Sequence, residues 1–273
     1  MCFTLRLHMS AAPTQGGLTQ ALDHTRMIRH DVQLEFSRCV KALGGSVLDE
    51  ELINPTFSNA DFWFPSANVV AELKCLSENY FSRDSFNKSL SDKYQSWVAR
   101  GLVPRLKTAK AIVNLANLPV QCADEVVQPL KRKLETSTVK KANRQIRETR
   151  EHLGASNAKG LLLLVNDGNH ALPPSMVRHL LARLLNAQYR CINTVVHFSV
   201  NEQVQVPGIN MPTLFWAQWG FRDRVGIDPE FLEQLRSAWL AHHSTISGGD
   251  VYEIITRPDH DPLETLRFSK GVV

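Results

Sequence analysis

The alternation of apolar and polar positions divides the first part of the chain into a helix and three short strands. The pattern predicts a helix over residues 18–43 that ends at the pair Gly44-Gly45. Short apolar runs follow it and predict strands at residues 46–53, 61–64 and 68–76. The last two runs are separated by a turn that contains Pro65, so we expect them to form a hairpin.

The rest of the chain alternates between helical and strand-like patterns. Residues 77–105 are polar and predict irregular and helical structure, residues 110–118 fit a helix or a strand, and residues 122–153 predict a long charged helix. Further helices are predicted at 173–189 and 228–242, and further strands at 160–166, 192–200, 214–221 and 251–255. The run from Leu161 to Val165 is apolar on both faces, which is typical of a covered central strand.

This order of elements predicts an α/β fold with a central mixed β-sheet flanked by helices. Residues 1–17 are expected to form a flexible N-terminal lead. The core is expected to span residues 18–200, with a helical insertion at 77–155. Residues 201–273 are then a C-terminal extension packed on that core.

Composition narrows the class of protein only moderately. The chain has 273 residues, of which 43% are hydrophobic, so it can bury a large core. A formal net charge of +4 permits a nucleic-acid partner without requiring one. No apolar run approaches the length of a membrane span, and the first residues lack a signal-peptide core. The five cysteines are scattered without CxxC spacing, which favours the reducing cytoplasm.

Three charged residues interrupt the two strands of the predicted hairpin. Asp61 begins one apolar run, and Glu72 and Lys74 lie on the next. Residues two apart on a strand point to the same face, so Glu72 and Lys74 should project side by side, and the hairpin should bring Asp61 next to Glu72. Charged groups are costly to bury unpaired, and a divalent metal ion would offset that cost. The simpler interpretation is a structural ion pair between Glu72 and Lys74 at a strand end.

The hairpin and the order of elements around it resemble the PD-(D/E)XK nuclease superfamily. In that family an acid lies at the start of the second strand, and an acid and a lysine lie on the third. Asp61 matches the first acid, Glu72 the second and Lys74 the lysine, while Ala60 stands where the family pattern has proline. The resemblance implies a restriction endonuclease-like core and a Mg²⁺-dependent endonuclease that hydrolyses phosphodiester bonds in DNA.

The resemblance also implies roles for these residues. Asp61, Glu72 and the main-chain carbonyl of Leu73 would hold Mg²⁺, for which Mn²⁺ is expected to substitute, and Lys74 would orient a water molecule and offset negative charge. Many members supply another acid from the first helix. Glu35 is the best candidate here and Asp31 the second, against the alternative of a solvated helix surface.

The charged helix carries a candidate nucleic-acid-binding face formed by Lys140, Lys141, Arg144 and Arg147. Acidic residues are interspersed among them, so an ordinary solvated face is the competing interpretation. The family often places a polar helix residue near its site, and Gln145 or Arg144 could take that position.

The resemblance is compatible with more than one biological role and substrate. A restriction or phage-defence role fits a nuclease without a recognised motor motif. The alternative is a catalytically inactive DNA-binding or assembly subunit on the same fold, and RNA or a damaged or branched DNA is a third option for the substrate. Cutting both strands would need two sites, which makes a homodimer a reasonable expectation. The pattern does not decide between one metal ion and two.

Overall fold

A computed structural model of the chain describes residues 4–8, 29–53, 55–77, 83–106, 110–170, 172–205, 213–221, 223–247, 252–255 and 267–269. Its α-helices are α1 (Val32–Ala42), α2 (Leu48–Glu51), α3 (Asp84–Ala99), α4 (Val120–Leu134), α5 (Lys140–His152), α6 (Pro174–Leu185) and α7 (Pro229–Ser247). Its strands are β1 (Thr4–His8), β2 (Ser46–Val47), β3 (Phe62–Phe64), β4 (Val69–Leu76), β5 (Lys110–Asn114), β6 (Lys159–Asn166), β7 (Thr194–Ser199), β8 (Gln203–Gln205), β9 (Thr213–Gly220), β10 (Tyr252–Ile255) and β11 (Arg267–Ser269).

The chain divides into two compact units. One comprises residues 1–28, 79–132 and 273, and the other comprises residues 29–78 and 133–272. In the first, β1 pairs antiparallel with β5, and α3 packs against β1. The second unit holds every candidate site residue.

A seven-stranded sheet forms the centre of the second unit, in the order β10-β9-β7-β6-β4-β3-β2. Strands β4, β6 and β7 are parallel, whereas β2, β3 and β4 form an antiparallel meander. On the far side, β9 runs antiparallel to β7 and pairs in parallel with β10. The prediction of an α/β fold with a central mixed sheet flanked by helices is confirmed.

Helices cover both faces of this sheet near β4. Val69, Ala71 and Leu73 point to the face that packs against α1 and α7 in the main hydrophobic core. The opposite face of β4 carries Val70 and Glu72 and packs against α5. Alternation along the strand therefore places Glu72 beneath a helix rather than in solvent.

The first predicted strand is shorter than its apolar pattern suggests. Only Ser46–Val47 pairs with β3, and α2 begins at once. Leu48 is buried and donates its amide to the carbonyl of Asp61 at 2.9 Å. Three acidic residues follow it in the first turn, where they favour a helix because the helix dipole is positive at its N-terminus. The prediction of a strand over 46–53 was therefore wrong beyond its first two residues.

The long charged helix is interrupted in the middle. A π-helical segment, Glu135–Val139, separates α4 from α5. The hydroxyl of Ser137 donates to the carbonyl of Lys133 at 2.7 Å, and such local bonds compete with the regular helical pattern. The single helix predicted over residues 122–153 is therefore two α-helices joined by a π-helical segment.

The N-terminal lead and the C-terminal extension differ from the predicted organisation. Thr4–His8 forms β1 within the predicted lead, and residues 201–273 supply β9 and β10 to the main sheet. The ambiguous stretch 110–118 begins with β5. Residues 18–28 of the predicted first helix lie outside the described residues, and α1 begins at Val32 with Asp31 as its N-cap.

Candidate active site

Glu72 is a fully buried acidic residue in the centre of the sheet. It lies in the middle of β4, beside Leu162 of β6, and is 0% exposed. One carboxylate oxygen, Oε1, accepts a hydrogen bond from the Lys74 ammonium. Its other oxygen, Oε2, is buried and has no hydrogen-bond donor within the described part of the chain. A buried carboxylate oxygen without a donor carries a desolvation cost that a bound cation or a proton would offset.

Asp61 lies beside Glu72, as the hairpin predicted. The register pairs Phe62 with Ala71, so the next pair outward is Asp61 with Glu72. The Asp61 carboxylate accepts a bond from the amide of Leu73 at 2.7 Å through Oδ2. Its Oδ1 accepts from Nε2 of Gln33 on α1 at 3.3 Å. The side chain is thereby held from two sides.

A tight turn sets this register. The amide of Asn68 donates to the carbonyl of Pro65 at 3.1 Å, and Asn68 has a φ of 52°. Asparagine tolerates this left-handed conformation better than most residues, which makes the four-residue connection stable. The turn and the apolar pattern together align Asp61 with Glu72.

The two carboxyl groups perturb one another. Burial raises the pKa of Asp61, and the Leu73 amide and Lys74 only partly oppose that shift. Burial also raises the pKa of Glu72 well above its ordinary value, and the neighbouring charge of Asp61 raises it further. A hydrogen bond that protonated Glu72 donates to Asp61 acts in the same direction. Without a cation, the pair therefore tends to retain a proton.

Lys74 lies at the accessible margin of this site. Its side chain is 22% exposed, whereas the carboxylate that it contacts is buried. Lys74 is therefore the more accessible member of the Glu72–Lys74 pair.

Helix α5 holds the segment that leads into Asp61. We call Ser58, Asn59 and Ala60 the 58–60 segment. Three side chains on one face of α5 bond to its backbone: Thr149 Oγ1 accepts from the Ala60 amide at 2.7 Å, Gln145 Nε2 donates to the Asn59 carbonyl at 2.8 Å, and Glu148 Oε2 accepts from the Ser58 amide at 3.2 Å. The structure thus brings Gln145 to the approach of the site, while Arg144 is exposed.

Glu35 is engaged by residues of α1 and α7. It accepts bonds from Nη1 of Arg38 at 2.9 and 3.0 Å and contacts Nε2 of His242 on α7 at 2.7 Å. Burial pushes its pKa upward, but the hydrogen bond with His242 and the charge of Arg38 outweigh that effect, so the pKa is lowered. Asp31 caps α1 by accepting from the Leu34 amide at 3.0 Å.

Gln33 is the residue of the first helix that contacts Asp61, whereas the sequence predicted an acid, Glu35 or Asp31, in this role. It lies two residues before Glu35, and positions two apart on a helix face different directions. A neutral amide has no charge signature, so sequence pattern did not identify it. Asp49 was missed as well. Its charge contributes to raising the pKa of Asp61, and its carboxylate accepts from Nδ2 of Asn59 at 2.7 Å.

The four basic residues of α5 are all exposed, but they differ in their partners. Arg144 lies 4.0 Å and Arg147 3.5 Å from Oε1 of Glu148, and Arg147 lies 3.8 Å from Glu151. Lys140 and Lys141 have no acidic partner within ion-pair distance among the described residues. The surface formed by Lys140, Lys141, Arg144 and Arg147 is called the basic face below.

The donor set fits a hard divalent cation with few protein ligands. No cluster of three or more histidine, cysteine, aspartate or glutamate side chains that could hold a metal is present among the described residues. Mg²⁺ is commonly bound by one or two carboxylates and keeps several waters, so a pair of carboxylates is enough. The unpartnered Oε2 of Glu72 beside Asp61 meets that requirement.

No family model matches the chain, and no curated protein or solved structure is significantly similar to it. The likeness to PD-(D/E)XK nucleases therefore depends on the hairpin residues and the order of elements. Within the described ranges, no helix is both long enough and apolar enough to cross a membrane. All four cysteines in those ranges are free thiols.

Proposed function

We propose that this chain is a metal-dependent deoxyribonuclease that hydrolyses phosphodiester bonds. The observation that carries the proposal is the buried Glu72 carboxylate, which has one oxygen on Lys74 and the other without a donor beside Asp61. A divalent cation bound to this oxygen and to Asp61 would offset the cost of burying two adjacent carboxylates.

Asp61 and Glu72 would hold Mg²⁺ or Mn²⁺, with the Leu73 carbonyl as a further ligand implied by the family resemblance. The bound cation would supply Lewis acidity and lower the pKa of a coordinated water. The contacts of Asp61 with Leu73 and Gln33 fix its carboxylate before any ligand arrives. Such preorganisation lowers the cost of binding.

Lys74 would act on the substrate side of the site. Its ammonium is held by Glu72 and its side chain is partly exposed, so it would donate to a phosphate oxygen or orient the attacking water. A positive charge at this point would offset the negative charge that develops during phosphodiester cleavage.

The basic face of α5 would bind the DNA backbone. Lysines and arginines that neutralise phosphates release counterions, which gives affinity that falls steeply with salt. α5 packs on β4, the strand that carries Glu72, so the basic face belongs to the helix that covers the site. A continuous basic surface of this kind would suit the repeated phosphates of a nucleic acid better than a single small phosphate ester.

The test is cleavage of plasmid and linear DNA in Mg²⁺ or Mn²⁺ by wild type and by Lys74→Ala. We expect metal-dependent cleavage by wild type and a loss of about a hundredfold or more in the variant. Lys41→Ala is the matched control, because Lys41 pairs with Glu50 on the surface at 2.6 Å and should behave as wild type. Equal activity in wild type and Lys74→Ala would refute the mechanism.

A catalytically inactive DNA-binding subunit is the second candidate. It is favoured by the position of Glu35, which is engaged by Arg38 and His242 instead of completing a third carboxylate at the site. This alternative predicts salt-sensitive DNA binding and no cleavage with any divalent metal.

A further inference from the structure

Glu148 belongs to two groups of contacts at once. Its Oε2 accepts a hydrogen bond from the Ser58 amide at 3.2 Å, three residues before Asp61. Its Oε1 lies 3.5 Å from Arg147 and 4.0 Å from Arg144. One carboxylate therefore faces the backbone of the site with one oxygen and the basic face with the other.

These two sets of contacts compete for the same charge. The side chain of Glu148 is 24% exposed, and both arginine side chains are more than half exposed. A phosphate that binds Arg144 or Arg147 would draw the guanidinium groups from Glu148, because charge-assisted bonds to phosphate are strong and often bidentate. The carboxylate would then form a stronger hydrogen bond with its remaining donor, the Ser58 amide.

The neighbouring contacts restrict where this change can lead. Thr149 and Gln145 bond to the backbone of Ala60 and Asn59 from the same face of α5, so these two residues are attached to the helix independently of Glu148. A stronger bond to Ser58 would therefore tighten an attachment that already exists. Asp61 follows this segment directly in the chain, so it is the candidate metal ligand that a tighter attachment would affect first.

We propose that Glu148 links occupancy of the basic face to the attachment of the 58–60 segment, so that binding of DNA phosphates steadies the approach to Asp61. Glu148 is a positioning residue in this scheme, since it acts through the backbone and contacts neither metal nor substrate. The inference rests on the proposed function only in taking DNA phosphates as the ligand of the basic face.

Amide hydrogen exchange of the 58–60 segment tests this link without cleavage. Exchange is measured in EDTA at low salt, with and without a mixed-sequence DNA duplex. We expect the duplex to slow exchange of the Ser58 amide in wild type by about threefold or more. In Glu148→Gln, exchange of the Ser58 amide without DNA should be faster than in wild type. Adding the duplex should not change it, although the duplex still binds.

Glu151→Gln is the matched control. This substitution also removes one negative charge from α5. Glu151 lies 3.8 Å from Arg147, as an acid beside the basic face, but Ser58 bonds to Glu148 and not to Glu151. Both variants should bind DNA about two- to fivefold more tightly than wild type, because an acid opposing the phosphates is gone. Only Glu148→Gln should lose the exchange response.

The inference is overturned if the duplex binds wild type without slowing Ser58 exchange, or if Glu148→Gln responds as Glu151→Gln does. It is equally overturned if no duplex binds. A protein that shows the response but never cleaves DNA would refute the nuclease and leave the link intact. Cleavage without the exchange response would refute the link through Glu148 and leave the nuclease proposal intact.

Discussion

Glu72 and Lys74 project from the same face of β4, and the Lys74 ammonium satisfies only one oxygen of the buried Glu72 carboxylate. The second oxygen lies in a site that already contains Asp61, whose charge raises the pKa of Glu72. A proton shared between the two carboxyl groups offsets this repulsion in the metal-free protein, and we propose that a divalent cation replaces that proton when it binds.

Replacing Glu72 with glutamine should change how stability depends on pH. The pKa of Glu72 is raised in the folded state, so its favourable contribution is present at low pH and is lost as pH rises through that value. Glu72→Gln should therefore gain stability relative to wild type as pH increases, by about 1–2 kcal/mol in metal-free buffer. Urea unfolding of wild type and Glu72→Gln at a series of pH values measures this difference in stability. A variant that is equally destabilised at every pH would contradict the prediction.

Divalent metal should stabilise the folded protein through Asp61 and Glu72. At a concentration of about a hundred times the dissociation constant, binding contributes about 2.7 kcal/mol. Asp61→Asn should lose this gain, whereas Glu35→Gln, which alters a carboxylate bonded to Arg38 and His242, should keep it. The affinity should rise with pH, because Glu72 must lose its proton to bind the cation. Thermal unfolding in Mn²⁺ and in EDTA gives the comparison, and a shift retained by Asp61→Asn would exclude this site.

The hydroxyl of Thr149 should matter more than its methyl group. Its Oγ1 accepts from the buried amide of Ala60, so Thr149→Val leaves that amide without a partner at nearly unchanged volume. We expect a loss of about 1–3 kcal/mol in the free energy of unfolding, while Thr149→Ser should retain most of the stability. Denaturant titration distinguishes them, and equal effects of the two substitutions would indicate packing instead of hydrogen bonding.

The lysines of the basic face should contribute more to DNA binding than its arginines. Lys140 and Lys141 have no acidic partner among the described residues, whereas Arg144 and Arg147 are partly neutralised by Glu148. Each lysine-to-alanine substitution should reduce the slope of log affinity against log salt by about 1. Binding titrations over a series of salt concentrations measure the slope, and a slope unchanged by both lysine substitutions would remove the basic face from the interface.

The hairpin could be predicted from sequence because its signals are local. The alternation in β4 and the turn at Asn68 lie within a few residues of the groups that they align, so the placement of Asp61 beside Glu72 followed from them. The mixed sheet was predictable for a similar reason. Its strands are short apolar runs separated by clear turns and helices.

The supports of the site could not be predicted because they depend on distant packing. Thr149 is 89 residues from Ala60, and neither residue carries a charge. Glu35 was assigned to the site from its residue type, but His242 of α7, which lies 207 residues away, contacts it in the fold. Which face of a helix meets the sheet is decided by such tertiary contacts and not by the helical repeat alone.

Anomalous diffraction from a crystal soaked in Mn²⁺ tests the central claim most directly. We predict a peak within coordination distance of the carboxylates of Asp61 and Glu72, with Oε2 of Glu72 as one ligand. Soaked crystals of Glu72→Gln should lack the peak. The account would be contradicted if wild-type crystals showed no density there at saturating metal while Glu72 remained paired with Lys74.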